Sequence, residues 1–264
     1  MLAVVEAARN LVAVGARPLA VSDCLNYGNP EKPDVMWQFQ QGIYGIRDAC
    51  LALGTPVVSG NVSFYNDTEG RSIPPTPTIA MVGLMDDVEA HLTPWWKAEG
   101  DVIVLLGRTR EELGASEYLA VIHGLVRGAP PWIDLEAEKR LHHVCLTAAH
   151  ERVLRSAHDI AEGGLALALA ECCFGGTLLG VRIAVERNIR TDALLFGESQ
   201  SRMLVSVRRR HLGRVRELAQ REDVPFTVLG EVRGQSLVIG DLVDLPLTQA
   251  RERWRRSLER RLAG

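Results

Sequence analysis

The sequence predicts two mixed layers in tandem: a small α+β domain over residues 1–88 and a larger α/β domain over residues 89–264. Three observations predict this. A chain of 264 residues has room for one large domain or two ordinary ones. Hydrophobic periodicity over the first stretch runs helix, strand, helix, strand, strand, the order of an α+β layer. Further on, Asp101–Gly107 reads Asp-Val-Ile-Val-Leu-Leu-Gly, a near-continuous apolar run of the kind buried on both faces of a sheet.

The elements follow in order. Val4, Val5, Ala8, Leu11 and Val12 repeat at helical spacing until Gly15 ends the run. This helix has no capping residue before it and no preceding strand, so upstream sequence is expected to be missing. Pro18–Cys24 predicts a buried strand. Trp37–Leu53 predicts an amphipathic helix with Phe39, Ile43, Ile46, Ala49 and Cys50 inward, closed by Gly54. Pro56–Phe64 and Thr78–Met85 predict strands, and Glu69–Pro77 between them is a proline-rich loop. Asp86–Gly100 connects to the second domain. There the strand at 101–107 is followed by a long helix from Leu135 to about Ser156 and another from Leu165 to Cys173. Strands at Gly180–Val185 and Ser201–Val207, a helix at His211–Glu222, strands near Thr227 and Leu237, and a terminal helix complete it.

Composition narrows the function classes. With 47% hydrophobic and 24% charged residues the chain has an ordinary globular balance. A net charge of -3 gives no footprint for a nucleic acid polymer. The basic run from Arg251 to Arg261 is interleaved with glutamates and reads as a solvated helix face. Five cysteines without a Cys-x-x-Cys pair argue against a zinc site or a disulfide framework. Adjacent Cys172 and Cys173 sit in an apolar helical run and read as core. No signal peptide and no membrane-length apolar run is present, so no membrane partner is expected and the location predicted is cytoplasmic.

Two polar strand ends stand out. Val57-Val58-Ser59-Gly60-Asn61-Val62-Ser63 runs β-branched residues into small polar groups around a glycine, which lets a backbone approach a ligand closely. Ser22-Asp23-Cys24-Leu25-Asn26-Tyr27-Gly28-Asn29-Pro30 is a second such end. Asp23 alone reads as a turn aspartate; in company with Gly60-Asn61 it reads as a ligand contact. Asn66 and Asp67 read as turn residues, while Asn26 and Asn29 either shape their loop or line the site. His158-Asp159 beside Gly163-Gly164 fits both an anion-binding helix start and tight helix–strand packing. His142-His143 has no spaced partners and reads as surface or partly buried. Trp95, Trp96 and Trp132 are expected to cover the join between the domains.

The ordered set Ala7–Pro18, Ser22–Glu31, Gly60–Asn66, Pro75-Thr76-Pro77, His158–Leu165 and Phe196-Gly-Glu-Ser-Gln-Ser-Arg202 resembles the C-terminal half of phosphoribosylformylglycinamidine synthase, of the aminoimidazole ribonucleotide synthetase-like superfamily. The resemblance covers essentially the whole chain. It implies a ferredoxin-like small domain lacking its first strand, a larger α/β domain, and the second of two tandem copies that meet around a shared site. It implies an ATP-dependent C–N ligase of purine biosynthesis: ATP phosphorylates the amide oxygen of formylglycinamide ribonucleotide and ammonia from glutamine displaces it. Residue by residue, it implies that Asp23 and Gly60 contact ATP, Asn61 offers its side-chain oxygen to Mg²⁺, and Ser63 bonds the formylglycinamide ribonucleotide. It implies partners too: an N-terminal half, a glutamine amidotransferase subunit and a small bridging subunit. None of the seven histidines falls in either strand-end motif, so no general base is carried over and the chain alone is expected to be inactive.

The sequence departs from the pattern at Asp159-Ile160-Ala161-Glu162, where the family reads Asp-Ile-Ser-Asp. Glu198-Ser199-Gln200 matches a substrate-contacting run of the first copy and reads here as structural. Other expectations stay open beside this one: a homodimeric aminoimidazole ribonucleotide synthetase or selenophosphate synthetase type, or a nucleotide-stabilised scaffold without activity.

Overall fold

Apolar spacing near the start folds as expected into α1 (Leu2–Ala13). In the computed structural model, which describes residues 1–263, β1 (Arg17–Asn26), α2 (Pro33–Leu53), β2 (Val57–Ser63), a two-residue pair β3 (Asp67–Thr68) and β4 (Arg71–Ser72), and β5 (Thr76–Leu84) follow. Helix α2 begins four residues before Trp37, because Pro33 at its first turn needs no N–H partner there. Within the proline-rich loop, β3 and β4 form a short hairpin. Pro77 lies inside β5, which tolerates it as an edge strand.

These strands form a three-stranded sheet in the order β2-β1-β5, with β1 parallel to β2 and antiparallel to β5. One face packs Val21 and Leu25 against Val4 and Val5 of α1 and Ile46, Ala49 and Cys50 of α2. Along β5, exposed and half-buried residues alternate strictly, so the other face is open to solvent.

The second layer contains β6 (Val102–Leu106), α3 (Glu117–His123), α4 (Leu135–His150), β7 (Leu154–Asp159), α5 (Gly164–Cys172), β8 (Val181–Ile183), α6 (Thr191–Phe196) and β9 (Met203–Val207). It continues through α7 (Leu212–Arg221), β10 (Phe226–Val232), β11 (Ser236–Ile239), β12 (Val243–Pro246), α8 (Leu247–Arg255) and α9 (Ser257–Ala263). Its seven-stranded sheet runs β12-β11-β8-β10-β6-β9-β7, antiparallel except between β11 and β8. Strand β6 is buried at every residue: Val102, Val104 and Leu106 pack with α4 and α7, whereas Ile103 and Leu105 pack with α5. No described helix is long and apolar enough to cross a membrane.

Several expectations change. The helix predicted to reach Ser156 stops at His150; Arg152 turns the chain through a left-handed conformation (φ 55°), and β7 follows. Neither Gly nor Pro marks that turn, and Val153, Leu154 and Ala157 suit either period. The tryptophans do not cover the join. Trp96 is buried in the core beside α5, its backbone N–H donating to the Cys172 carbonyl at 3.0 Å, while Trp95 and Trp132 remain half exposed. His142 is buried, not at the surface, and its Nε2 lies 3.0 Å from Glu138 Oε1.

The layers are joined instead by α1. Its start belongs to the first core, and Val12 and Ala13 belong to the second. Between them Arg9 is fully buried. Its Nε donates to Glu138 Oε1 at 2.8 Å and its Nη2 to Gln200 Oε1 at 2.9 Å, and Ser201 Oγ donates to Glu138 Oε2 at 2.5 Å. Burial by itself would raise the Glu138 carboxyl, but Arg9 and His142 outweigh it and hold it at about 2.

Candidate functional site

Strands β1 and β2 set Asp23 opposite Gly60, Cys24 opposite Asn61 and Asn26 opposite Ser63. Paired residues share a face, and successive residues alternate. Asp23 and Gly60 therefore lie on the helix-packed side. Gly60 sits at φ +155°, and a Cβ there would collide with the Asp23 carboxylate. Only glycine lets the carboxylate lie against the neighbouring strand in this way. The close approach that the glycine permits is thus made first by the protein's own Asp23.

Asn61 and Ser63 point to the opposite, open face, beside Cys24 and Asn26. Asn61 is exposed and Ser63 half-buried. Of the four sequence-predicted residues, the fold brings Asp23 and Gly60 into contact and puts Asn61 and Ser63 on the other side of the same edge strand. A ligand touching all four must run along the free edge of β2.

The turn after β2 holds this end in place. Asn66 Nδ2 donates to the Tyr27 carbonyl at 2.9 Å, the Ser63 carbonyl at 3.0 Å and Ser63 Oγ at 3.2 Å. Asp67 accepts from the Asn29 N–H at 3.0 Å and from Lys32 Nζ at 2.7 Å; the Lys32 bond holds its carboxyl below the usual range. So Asn66 and Asp67, expected as turn residues, also fasten the two strand ends together. Lys32 was not legible beforehand, because nothing in sequence separates it from any lysine before a helix.

Magnesium is a hard cation that favours carboxylate and water oxygens. Asn61 offers one neutral oxygen on a face without carboxylates, and Asp23 lies on the other face. Among the described residues no group of three or more His, Cys, Asp or Glu is arranged to hold a metal ion. These residues alone do not make a magnesium site.

A second concavity of about 200 Å³ lies where α1, the end of β7 and α5 meet, lined by Glu6, Asn10, His158, Asp159, Glu162 and Glu171 among others. Burial would lower His158, but Asp159 at 3.5 Å and Glu171 at 3.4 Å outweigh it and lift the imidazole to about 10, so it is cationic at neutral pH. Burial raises Glu6. Asp159 Oδ2 has no hydrogen-bond partner, and Arg9 Nη1 lies 3.9 Å away. Glu6 and Asn10 were missed in sequence; their four-residue spacing on one helix face was the available signal.

For the glycine loop after β7, tight packing accounts for the geometry. The Gly163 N–H donates to Glu198 Oε1 at 2.9 Å, and a Cβ on Gly164 (φ +67°) would strike the Phe196 backbone. The Glu198–Gln200 run is engaged internally as well: Glu198 also accepts from the Glu117 N–H at 2.9 Å, and Ser199 Oγ from the Arg110 N–H at 3.0 Å. Buried Arg202 clamps the run by donating to the Ser199 and Gly197 carbonyls, both at 2.7 Å.

The N-terminal domain of AIR synthase related proteins matches residues 1–85, and the C-terminal domain of the same family matches residues 98–241, more than half of the chain. The chain belongs to the AIR synthase related protein family. Within that family, it is 48% identical over 261 residues to the phosphoribosylformylglycinamidine synthase subunit PurL of Moorella thermoacetica, covering 97% of this chain and 36% of that protein. It is 51% identical over 234 residues to PurL of Symbiobacterium thermophilum, covering 88% of this chain and 30% of that one. It thus spans about a third of the length of these curated relatives.

Solved structures share the AIR synthase fold. T. maritima PurL complexed with FGAR superposes with a TM-score of 0.74 at 23% identity, covering 94% of this chain and 42% of that one. E. coli HypE, a hydrogenase maturation protein, gives 0.71 at 17% identity, covering 93% of this chain and 77% of that one.

Proposed function

We propose that this chain supplies one part of an ATP-dependent formylglycinamidine ribonucleotide synthetase of purine biosynthesis, acting in the cytoplasm, with its functional division near residue 88. Asp23 and Gly60 contact ATP, Asn61 gives one oxygen to Mg²⁺, and Ser63 bonds the formylglycinamide ribonucleotide. The observation that carries this reading is the β1–β2 register: Asp23 lies against Gly60 while Asn61 and Ser63 project from the same open edge. Relatives that bear the synthetase name at 48% and 51% identity support it, and the T. maritima PurL complexed with ATP has the same fold.

The chain's own groups position rather than transfer protons. A carboxylate, a bare backbone, an amide and a hydroxyl orient a phosphoryl donor and its acceptor, which is most of what phosphoryl transfer asks of a protein. The charge needed around magnesium comes from the complementary half that covers the open sheet face. A glutamine amidotransferase and a small bridging subunit deliver ammonia to that assembly.

The test is equilibrium binding of Mg-ATP and synthetase turnover, measured on the chain alone and with the complementary half of a PurL relative. Expected are turnover only in the mixture and loss of the magnesium dependence of ATP binding in Asn61→Ala. Turnover by the chain alone would replace this reading with a self-sufficient homodimer. Absence of Mg-ATP binding in the mixture would remove the assignments of Asp23, Gly60 and Asn61.

A further inference from the structure

A cleft of about 200 Å³ beside the joint between the layers has a different chemistry from the strand-end site. It lies where the chain leaves β6 at Gly107 and meets the start of α4 and the segment 223–225 before β10. Its polar walls are Arg108, Arg110, Arg140, Asp134, Asp223 and Gln200.

Three arginines line the cleft, and among the described residues none of them is in an ion pair. Arg140 shares one face of α4 with Ala137 and Leu141, which also line the cleft, and its Nε is buried without a hydrogen-bond partner. A buried guanidinium N–H left unpaired is costly, and an anion in the cleft would relieve that cost. Arg110 is held in place differently: its guanidinium lies over the Trp132 ring, 4.4 Å from the centroid. The Trp132 backbone N–H donates to Glu112 Oε1 at 2.9 Å, which holds the main chain that carries the ring.

The carboxylates facing the cleft do not cancel these charges. Asp134 Oδ1 accepts from the N–H groups of Glu136 at 2.9 Å and Ala137 at 3.1 Å, capping α4. The helix start is therefore already satisfied and offers nothing to a ligand. Asp134 and Asp223 set two negative charges against three arginines, so the lining keeps a net positive charge. Planar guanidinium forks match phosphate oxygens two at a time, which a lysine cluster would not.

We propose that this cleft binds the phosphate of a small phosphomonoester, with Arg108, Arg110 and Arg140 as the phosphate ligands. Its volume has room for a phosphate group with a sugar attached. The cleft is independent of Asp23, Gly60, Asn61 and Ser63, so it can fail while the strand-end assignment stands.

The test is calorimetric titration of the full chain with ribose 5-phosphate, inorganic phosphate and unphosphorylated ribose. Expected are saturable 1:1 binding of ribose 5-phosphate, weaker binding of phosphate and none of ribose. Loss of one charge-assisted contact in Arg140→Gln weakens binding about tenfold or more. Exposed Arg108→Gln gives the same direction of change without touching a buried group, and Arg253→Gln, an arginine outside the cleft, leaves the affinity unchanged. No saturable binding, affinities in Arg140→Gln and Arg108→Gln equal to the parent's, or equal displacement by sulfate would each overturn the proposal.

Discussion

The two sheets of this molecule are finished to different degrees. In the seven-stranded sheet, β6 and β9 are buried at every residue, with helices on both faces. In the three-stranded sheet only one face is covered. On the open face Val82 is 61% exposed and Leu84 48%. A folded chain usually buries such aliphatic side chains on a sheet face, and an uncovered face marks an interaction surface. The difference teaches where stability and binding reside. The second layer holds itself together by burial, while the first keeps open the edge that carries Asn61 and Ser63.

The sharpest way to break this comparison is at the joint. Arg9→Ala would leave Glu138 buried with only His142 and Ser201 beside it, and removing one partner of a buried pair costs about 3–5 kcal/mol. Urea unfolding followed by circular dichroism measures this. A loss below about 1 kcal/mol would mean that the two layers do not depend on the network between them.

A smaller effect comes from His158, which anchors the end of β7 against α5. Its pKa is raised from the ordinary 6.5 to about 10 in the folded chain. Its contribution is therefore fully present below pH 6.5 and fades as the pH rises through 10. Over that window the stability should fall, and His158→Gln should flatten the slope. An unchanged slope in the variant would show that the imidazole is not held between its two carboxylates. Glu138 has the opposite sign: held at about 2, it stabilises above the ordinary carboxylate range and loses that contribution only as the pH falls toward 2.

How much of this was legible in the sequence depended on which kind of signal a residue carries. The strand at 102–106 announced itself, because five consecutive apolar residues buried on both faces have no other good home. Strand β7 did not: its turn is made by Arg152 in a conformation that no local residue type advertises. The motif residues were legible in order, but not the faces they occupy. One residue of spacing puts Asn61 on the face opposite Gly60, and that alternation is hidden until the strand is known. Arg9 was invisible for another reason. Its partners Glu138 and Gln200 lie 129 and 191 residues away, and a lone arginine on an apolar helix reads as a solvated one.

The smallest effect on stability should come from the open face, and that smallness makes it decisive. Val82 is 61% exposed and stands on β5 beside the exposed Ala80 and Leu84. Replacing it with lysine removes little buried area and places a charge where water already reaches. Unfolding of Val82→Lys should therefore shift by no more than about 0.5 kcal/mol, as surface changes do. If a complementary half covers this face, the same lysine is buried without a partner, and assembly should weaken by far more than folding does. Sedimentation of the mixture, set beside unfolding of the chain alone, separates the two quantities. A variant that folds and assembles like its parent would show that the open face is merely solvated, and the proposed complementary half would then have to dock at the free edge of β2 alone.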